Sequence, residues 1–266
     1  MRQYGATVPP WYAGQCPLID RERVILAPGG KDALLLAVDL ATGRPVWKTP
    51  NPLGWKMTHS SIMPMDFRGR RMFVYCASDG VVGVSAEDGT LLWQSSEWKI
   101  SIATVPSPVC LPEGKIFLCG GYNAGAMMLQ LEDRGGVVAP RILFRLKSNQ
   151  FGSTQHTPIF FNGHLFGVRD KDRELVCLDL QGKELWHSGP EHRFGLGPYL
   201  IADGLIYVLS DDGVLTMAEA DPKRFQLLGQ VRLLEGHDAW GPMAMAGARL
   251  LLRDLTHLLC LDVSRP

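Results

Sequence analysis

The 266-residue sequence has no excess of either charge: Lys and Arg total 27, and Asp and Glu total 27. A nucleic-acid-binding chain usually shows a basic surplus, so this balance argues against nucleic acid as a partner. The densest basic run, Arg68-Gly69-Arg70-Arg71, is built around a glycine and reads as a solvated hairpin tip. No stretch approaches the roughly 18 consecutive apolar residues of a membrane-spanning helix. The opening residues, MRQYGATVPPWY, lack the apolar stretch of a secretion signal.

Cysteine is sparse and unpatterned. Cys16, Cys76, Cys110, Cys119, Cys177 and Cys260 include no adjacent pair and no C-x-x-C. They lie in strand-like strings such as FVYCAS and LLCLDV, where a free thiol behaves as a small buried hydrophobe. That leans toward a reducing compartment, and the spacing argues against zinc. H-E-x-x-H, the phosphate-binding P-loop, G-x-S-x-G and G-x-G-x-x-G are all missing. Ser96-Glu97-Trp98-Lys99 matches S-x-x-K by spacing alone, in a loop with no helical pattern to bring Ser and Lys onto one face. Asp79-Gly80 and Asp211-Asp212-Gly213 read as hairpin turns rather than calcium ligands. No catalytic residue and no metal ligand are assigned.

What the sequence does have is a repeat. AVDLATGRPVW ends at Trp47, GVSAEDGTLLW at Trp93 and CLDLQGKELW at Trp186. A proline opens an apolar alternating segment at Pro17, Pro64, Pro108, Pro158, Pro198 and Pro242, with spacings of 40 to 50 residues. Each unit then reads as short apolar runs separated by turns, among them FRGRR, FNGH and ADG. Four antiparallel strands per unit, repeated six times, predict an all-β fold, a β-propeller of about six four-stranded blades. The glycine four residues before each Trp makes the turn between the third and fourth strands. Trp47, Trp93 and Trp186 are expected between neighbouring blades, with Phe144 in the same place in the third unit.

Ala37, Asp39, Gly43 and Trp47 complete the pattern Ala-x-Asp-x-x-x-Gly-x-x-x-Trp. This resembles the tryptophan-docking motif of pyrroloquinoline-quinone (PQQ)-type propeller repeats. The strings SSIMPMDFRGRRMFVYCASDGVVGV and IADGLIYVLSDDGVLTMAEADP carry the likeness along the chain. The resemblance implies a PQQ-like propeller, related in fold to quinoprotein alcohol dehydrogenases and to the lipoprotein propeller of outer-membrane protein assembly. It also implies a bacterial envelope or secreted setting. Quinoprotein dehydrogenases carry a vicinal-cysteine disulfide and an acidic calcium site, and this chain has no Cys-Cys pair. Residues 1–266 are expected to form one propeller domain, with residues 1–14 a candidate ring-closing strand despite Pro9-Pro10. The last unit ends after its third strand, so a three-stranded last blade and a segment of a larger propeller are the other readings.

Candidate site residues follow from where a propeller's innermost strands begin. His59, Gln155 and His156 precede such strands, and His237, Asp238 and Trp240 fall at the same rim. Arg169 and Arg253 follow second strands, where they face the rim or pair with a neighbouring Asp170 or Asp254. The rim is read either as a ligand funnel or as a bland, water-filled channel. The leading expectation is a non-catalytic scaffold binding a protein, peptide or carbohydrate on a loop face. The alternatives are a PQQ- and calcium-dependent oxidoreductase, with Trp240, Arg169 and Arg253 as its cofactor residues, and a degenerate module of a larger enzyme.

Overall fold

The computed structural model describes residues 2–235 and 237–264. Its strands form six antiparallel sheets, and the helical turns among the described residues are two short 3-10 segments, Arg2–Tyr4 and Pro112–Gly114. The sheets fall into two compact units, one ending at Gly152 and the other beginning at Ser153.

In the first unit, the first sheet pairs Leu18–Asp20, Arg23–Leu26, Leu36–Asp39 and Pro45–Lys48 in that order. The second pairs Met63–Phe67, Arg70–Ala77, Gly80–Ser85 and Leu91–Ser95. The third pairs Val109–Cys110, Lys115–Gly120, Gly125–Arg134 and Val137–Leu146. In the second unit, the fourth sheet pairs Ile159–Phe161, His164–Val168, Leu175–Leu178 and Glu184–His187. The fifth pairs Tyr199–Ala202, Leu205–Leu209, Val214–Glu219 and Leu227–Arg232. The sixth has three described strands, Ala244–Ala246, Arg249–Arg253 and Leu258–Asp262.

The local chemistry explains this up-and-down order. Arg68-Gly69, Asn162-Gly163 and Asp203-Gly204 have positive φ at both turn residues, the backbone twist that suits a two-residue hairpin. Most marker prolines sit just before their first strand. Pro64 lies inside Met63–Phe67, which its place at the sheet edge permits, because an edge strand can spare an amide. In each of the five four-stranded sheets a β-bulge interrupts the pairing of third and fourth strands. A bulge bends its strand and increases the local twist.

The repeated Trp residues sit opposite the third strand of their own sheet and are buried. Trp47 reaches into the second sheet, where a β-carbon on Gly89 would lie 2.5 Å from its ring and Phe73 stands 6.2 Å away. Trp93 lies over Gly83 and donates from Nε1 to Met72 Sδ at 3.4 Å, inside the apolar layer of the second and third sheets. Trp186 donates to the Asp221 carbonyl at 2.8 Å and packs 5.8 Å from Phe225, both beyond the third strand of the fifth sheet. Each indole brings on the order of 150–250 Å² of surface to its layer. Phe144 stands opposite Met128 in the third sheet.

A second set of large side chains fills the connections between sheets. Trp55, Trp98, Phe151, Phe194 and Leu234 each follow a fourth strand and are all buried. Asn51 fixes the first of these, accepting from Trp55 N at 3.0 Å and donating to the Gly30 and Trp55 carbonyls at 2.8 Å.

Residues 5–14 carry no strand. Tyr4 accepts a backbone bond from Asp32, and the Gln15 amide pairs with both N and O of Ala27, so this segment is fastened to the first unit at both ends.

Candidate functional site

In the first unit, His59 is buried beneath the N-terminal segment. One ring nitrogen, Nε2, lies 3.0 Å from the Pro10 carbonyl, and the rings of Trp11 and Tyr12 stand 5.9 and 5.7 Å away. Its backbone is held from the other side, because His59 N and Ser60 N both donate to Thr104 O at 3.1 Å. Beside it opens a cleft of about 400 Å³ with Val8, Pro10, Lys56, Asp79, Lys99 and Ile102 in its walls. Lys99 pairs with Asp79, to which Ser78 also donates at 2.6 Å. These two donors hold the Asp79 carboxyl below the usual carboxylate range. The cleft therefore combines an aliphatic rim with a fixed ion pair and a further cation, Lys56.

In the second unit, the turn Gly195-Leu196-Gly197 gathers several of the expected residues. His156 Nε2 lies 2.8 Å from the Leu196 carbonyl, with the Tyr199 ring 5.8 Å away. Asp211 Oδ1 accepts from Leu196 N at 2.8 Å and from Trp240 Nε1 at 2.9 Å. Asp211 fits only because residue 195 is glycine: a β-carbon there would overlap its carboxylate. Arg253 lays its stem over Gly241 and donates to the carbonyls of Asp254 and Leu255 at 2.9 and 3.5 Å. His237 exposes its side chain while its carbonyl accepts from Leu255 N, and the Asp238 carbonyl accepts from Trp240 N at 2.7 Å. Gln155 and His156 line a crevice of about 10 Å³, room for roughly one water.

Arg169 goes elsewhere. Its buried guanidinium bonds Asp172 at 2.6 Å and Glu184 at 2.5 Å, with Glu174 at 4.0 Å, and Glu174 in turn meets His187 Nδ1 at 2.5 Å. These partners belong to the fourth sheet and its turns, so Arg169 serves as an internal anchor. Asp211, the acceptor that joins the Leu196 turn to Trp240, was not foreseen, since its sequence context is that of an ordinary hairpin turn.

Burial makes the His156 imidazolium unfavourable and pulls its pKa below the ordinary value, against the opposing effects of the Leu196 carbonyl and the Asp211 charge. The folded state therefore binds fewer protons than the unfolded one. Its stabilising contribution is complete above about pH 6.5 and is lost as pH falls through the lower folded value. Unfolding midpoints followed from about pH 7.5 down to about pH 5 are expected to fall, with a shallower slope in His156→Gln. An unchanged slope in that variant would remove His156 as the source.

A tricarboxylated quinone needs unengaged cations, a free stacking ring and a slot of about 300 Å³ or more. In the second unit, Arg169 is taken by carboxylates and Arg253 by carbonyls, and the crevice at Gln155 and His156 is only about 10 Å³. Among the described residues no cluster of three or more His, Cys, Asp or Glu is arranged to hold a metal ion. The nominated residues do not fit PQQ with calcium. Two larger clefts, about 770 and 890 Å³, lie at hairpin tips of the first unit. Some of their charged wall residues are paired, Arg71 with Asp20 and Asp66, and Arg134 with Glu132.

Six antiparallel sheets of this repeat define a β-propeller of PQQ-like repeats. A family model described as outer membrane protein assembly factor BamB matches residues 6–181, more than half of the chain. The protein belongs to that family. Among solved structures, BamB from Moraxella catarrhalis is similar with a TM-score of 0.64 and 14% identity, covering 92% of this chain and 67% of that one. Quinohemoprotein alcohol dehydrogenase from Comamonas testosteroni gives 0.60 and 11%, covering 94% of this chain and 52% of that one. Sqt1 from Saccharomyces cerevisiae gives 0.63 and 12%, covering 91% and 68%. At these identities the likeness is one of fold. A comparison with curated proteins finds no match. No helix among the described residues is long and apolar enough to cross a membrane.

Proposed function

We propose that this protein is a non-catalytic propeller scaffold, one domain over residues 1–266, that binds an extended polypeptide at the loop-built cleft beside His59. One observation carries the reading. Trp11 and Tyr12 are 67% and 66% exposed although both rings rest on His59, and Val8 and Ile102 are exposed in the walls of the adjoining cleft. A cluster of exposed large apolar groups around a cleft is a mark of a recognition surface. Aliphatic Val8 and Ile102 beside the aromatics suit the alternating side chains of a polypeptide better than a sugar ring, which favours peptide over carbohydrate.

The family's name supports a partner from outer-membrane protein assembly, and hence a bacterial envelope setting. The probe is a labelled peptide copying one membrane strand of a β-barrel protein, with a scrambled peptide as control. Fluorescence anisotropy is expected to give saturable binding of the strand peptide. Substituting Trp11→Ala and Tyr12→Ala together should weaken it by about tenfold or more, since aromatic anchors dominate such interfaces. Equal affinity in that variant, with its melting temperature unchanged, would sink the reading.

A further inference from the structure

Resting on the cleft at His59 as the binding site, we infer that the polypeptide bound there carries an aspartate or glutamate within two residues of an aliphatic side chain, and that Lys56 selects this carboxylate.

One carboxylate, Asp79, and two ammonium groups, Lys56 and Lys99, line the cleft. Both oxygens of Asp79 are engaged, Oδ1 by Lys99 Nζ and Oδ2 by Ser78 Oγ at 2.6 Å. Lys56 bears on the same carboxylate only as a nearby charge. Its ammonium makes no hydrogen bond or ion pair among the described residues, whereas Lys99 is paired. Two cations to one anion leave an unmatched positive charge in the cleft.

The base of Lys56 is fixed although its head is not. Lys56 N donates to Ser78 Oγ at 2.8 Å, and Lys56 O accepts from Ser78 N at 3.1 Å. Trp55 before it and Met57 after it are buried. The backbone is thus ordered before a ligand arrives, and only the side-chain stem remains to be immobilised. A charge planted in this way adds modest affinity but discriminates among segments that are otherwise alike.

The size of the cleft sets how near that carboxylate must lie to an apolar residue. A compact space of about 400 Å³ is about 7 Å across, which extended chain spans in two residues of about 3.4 Å each. Val8, Ile102 and Lys56 share this space. A segment that lays an aliphatic side chain against Val8 or Ile102 therefore presents a residue no more than two positions away to Lys56. Aspartate or glutamate there balances the charge. Lysine or arginine would add a third cation against one carboxylate, which rejects basic segments.

The test uses the whole 266-residue protein and the strand peptide described above, acetylated and amidated so that its ends are uncharged. Each polar position of the peptide is replaced in turn by Glu, Gln or Lys. Affinities are read by fluorescence anisotropy in the parent, in Lys56→Met and in Lys56→Glu. In the parent, one position is expected to favour Glu over Gln by about two- to fivefold, the range of an exposed ion pair. That preference should fade in about 0.5 M salt. It should vanish in Lys56→Met and turn to favour Lys in Lys56→Glu. The ratio is taken within one protein, so a general loss of affinity or stability in a variant cancels. Binding without a Glu preference at any position, or a preference that persists in Lys56→Met, overturns the role of Lys56 and leaves the cleft as the binding site. No binding by any peptide of the panel overturns both. Amine acylation of the free protein, followed by mass spectrometry, is a separate check: Lys56 should react as fast as the exposed Lys183. A Lys56 already protected would mean that the chain itself or a second copy holds its charge, and would overturn the proposal.

Discussion

Replacing Gly83 with alanine should be among the most damaging single-methyl additions in this protein. Gly83 sits in the buried stretch Gly80 to Val84 of its strand, and a β-carbon there would lie deep inside contact distance of the Trp93 indole, meeting Nε1, Cε2 and Cζ2. Its φ is not in the left-handed region, so alanine would fit the backbone and only the packing would object. Trp93 cannot easily retreat. Its Nε1 is on Met72 Sδ, and it is buried in one apolar cluster with Trp98, Ile116 and Met127. Overpacking of this kind costs about 1–3 kcal/mol, and an overlap this deep with three indole atoms places Gly83→Ala near the upper end. At about 2–4 °C per kcal/mol, that is a fall in melting temperature of roughly 6–12 °C. Trp93→Leu alone should also destabilise, yet adding it to Gly83→Ala should recover part of the loss as a favourable coupling. Additive losses in the double-mutant cycle would mean that the two residues do not share one space.

Arg169→Met should be comparably costly, and for an electrostatic reason. The guanidinium is buried and is the common cation of Asp172, Glu174 and Glu184. Without it, the buried Glu174 is left facing Asp172 and Glu184, which are about a third exposed; breaking a fully buried pair costs about 3–5 kcal/mol, and that exposure puts this change near or below the lower end. Arg253→Met serves as the comparison: that side chain is exposed and bonds only carbonyls, so about 0.5 kcal/mol or less is expected. An acid titration separates this account from simple loss of packing. Burial pushes the Asp172 carboxyl upward, but hydrogen bonds and charge from Arg169 outweigh it and leave the pKa below the ordinary value. A depressed folded pKa means that the stabilisation is complete above the unfolded value near 3.9 and is lost as pH falls through the folded one. The parent should lose stability across that window, and Arg169→Met should lose much less there. A variant as stable as the parent would return Arg169 to the list of surface-binding candidates.

These two cases mark how far the sequence could be read. The sheets were legible because their signals are local: a turn such as Asn162-Gly163 and a Trp four residues after glycine need only their immediate neighbours. The place of the Trp residues followed from the same pattern. The connection fillers Trp55, Trp98, Phe151, Phe194 and Leu234 form a repeat as regular in role, but it is written in three residue types within loops of different length, so no alphabetic motif exposes it. Arg169 had its partners in plain sight at Asp172, Glu174 and Glu184, and only the fold tells an inward arginine from one at the rim. Asp211 was harder still. Its role depends on Leu196 and Trp240, 15 residues before it and 29 after it, and on a glycine at 195 that leaves it room.

The reach of Trp47 over Gly89, and of Trp186 to the Asp221 carbonyl, bears on how such a chain can be copied or recombined. A segment cut at the borders of one sheet would carry an indole with no floor beneath it and a floor with no indole above. The heritable module is instead staggered: it runs from the floor that receives one indole to the ring that seeks the next. Gene duplications that respected that offset would yield a foldable daughter at once. Those that followed the visible sheets would need compensating changes on both sides of every seam.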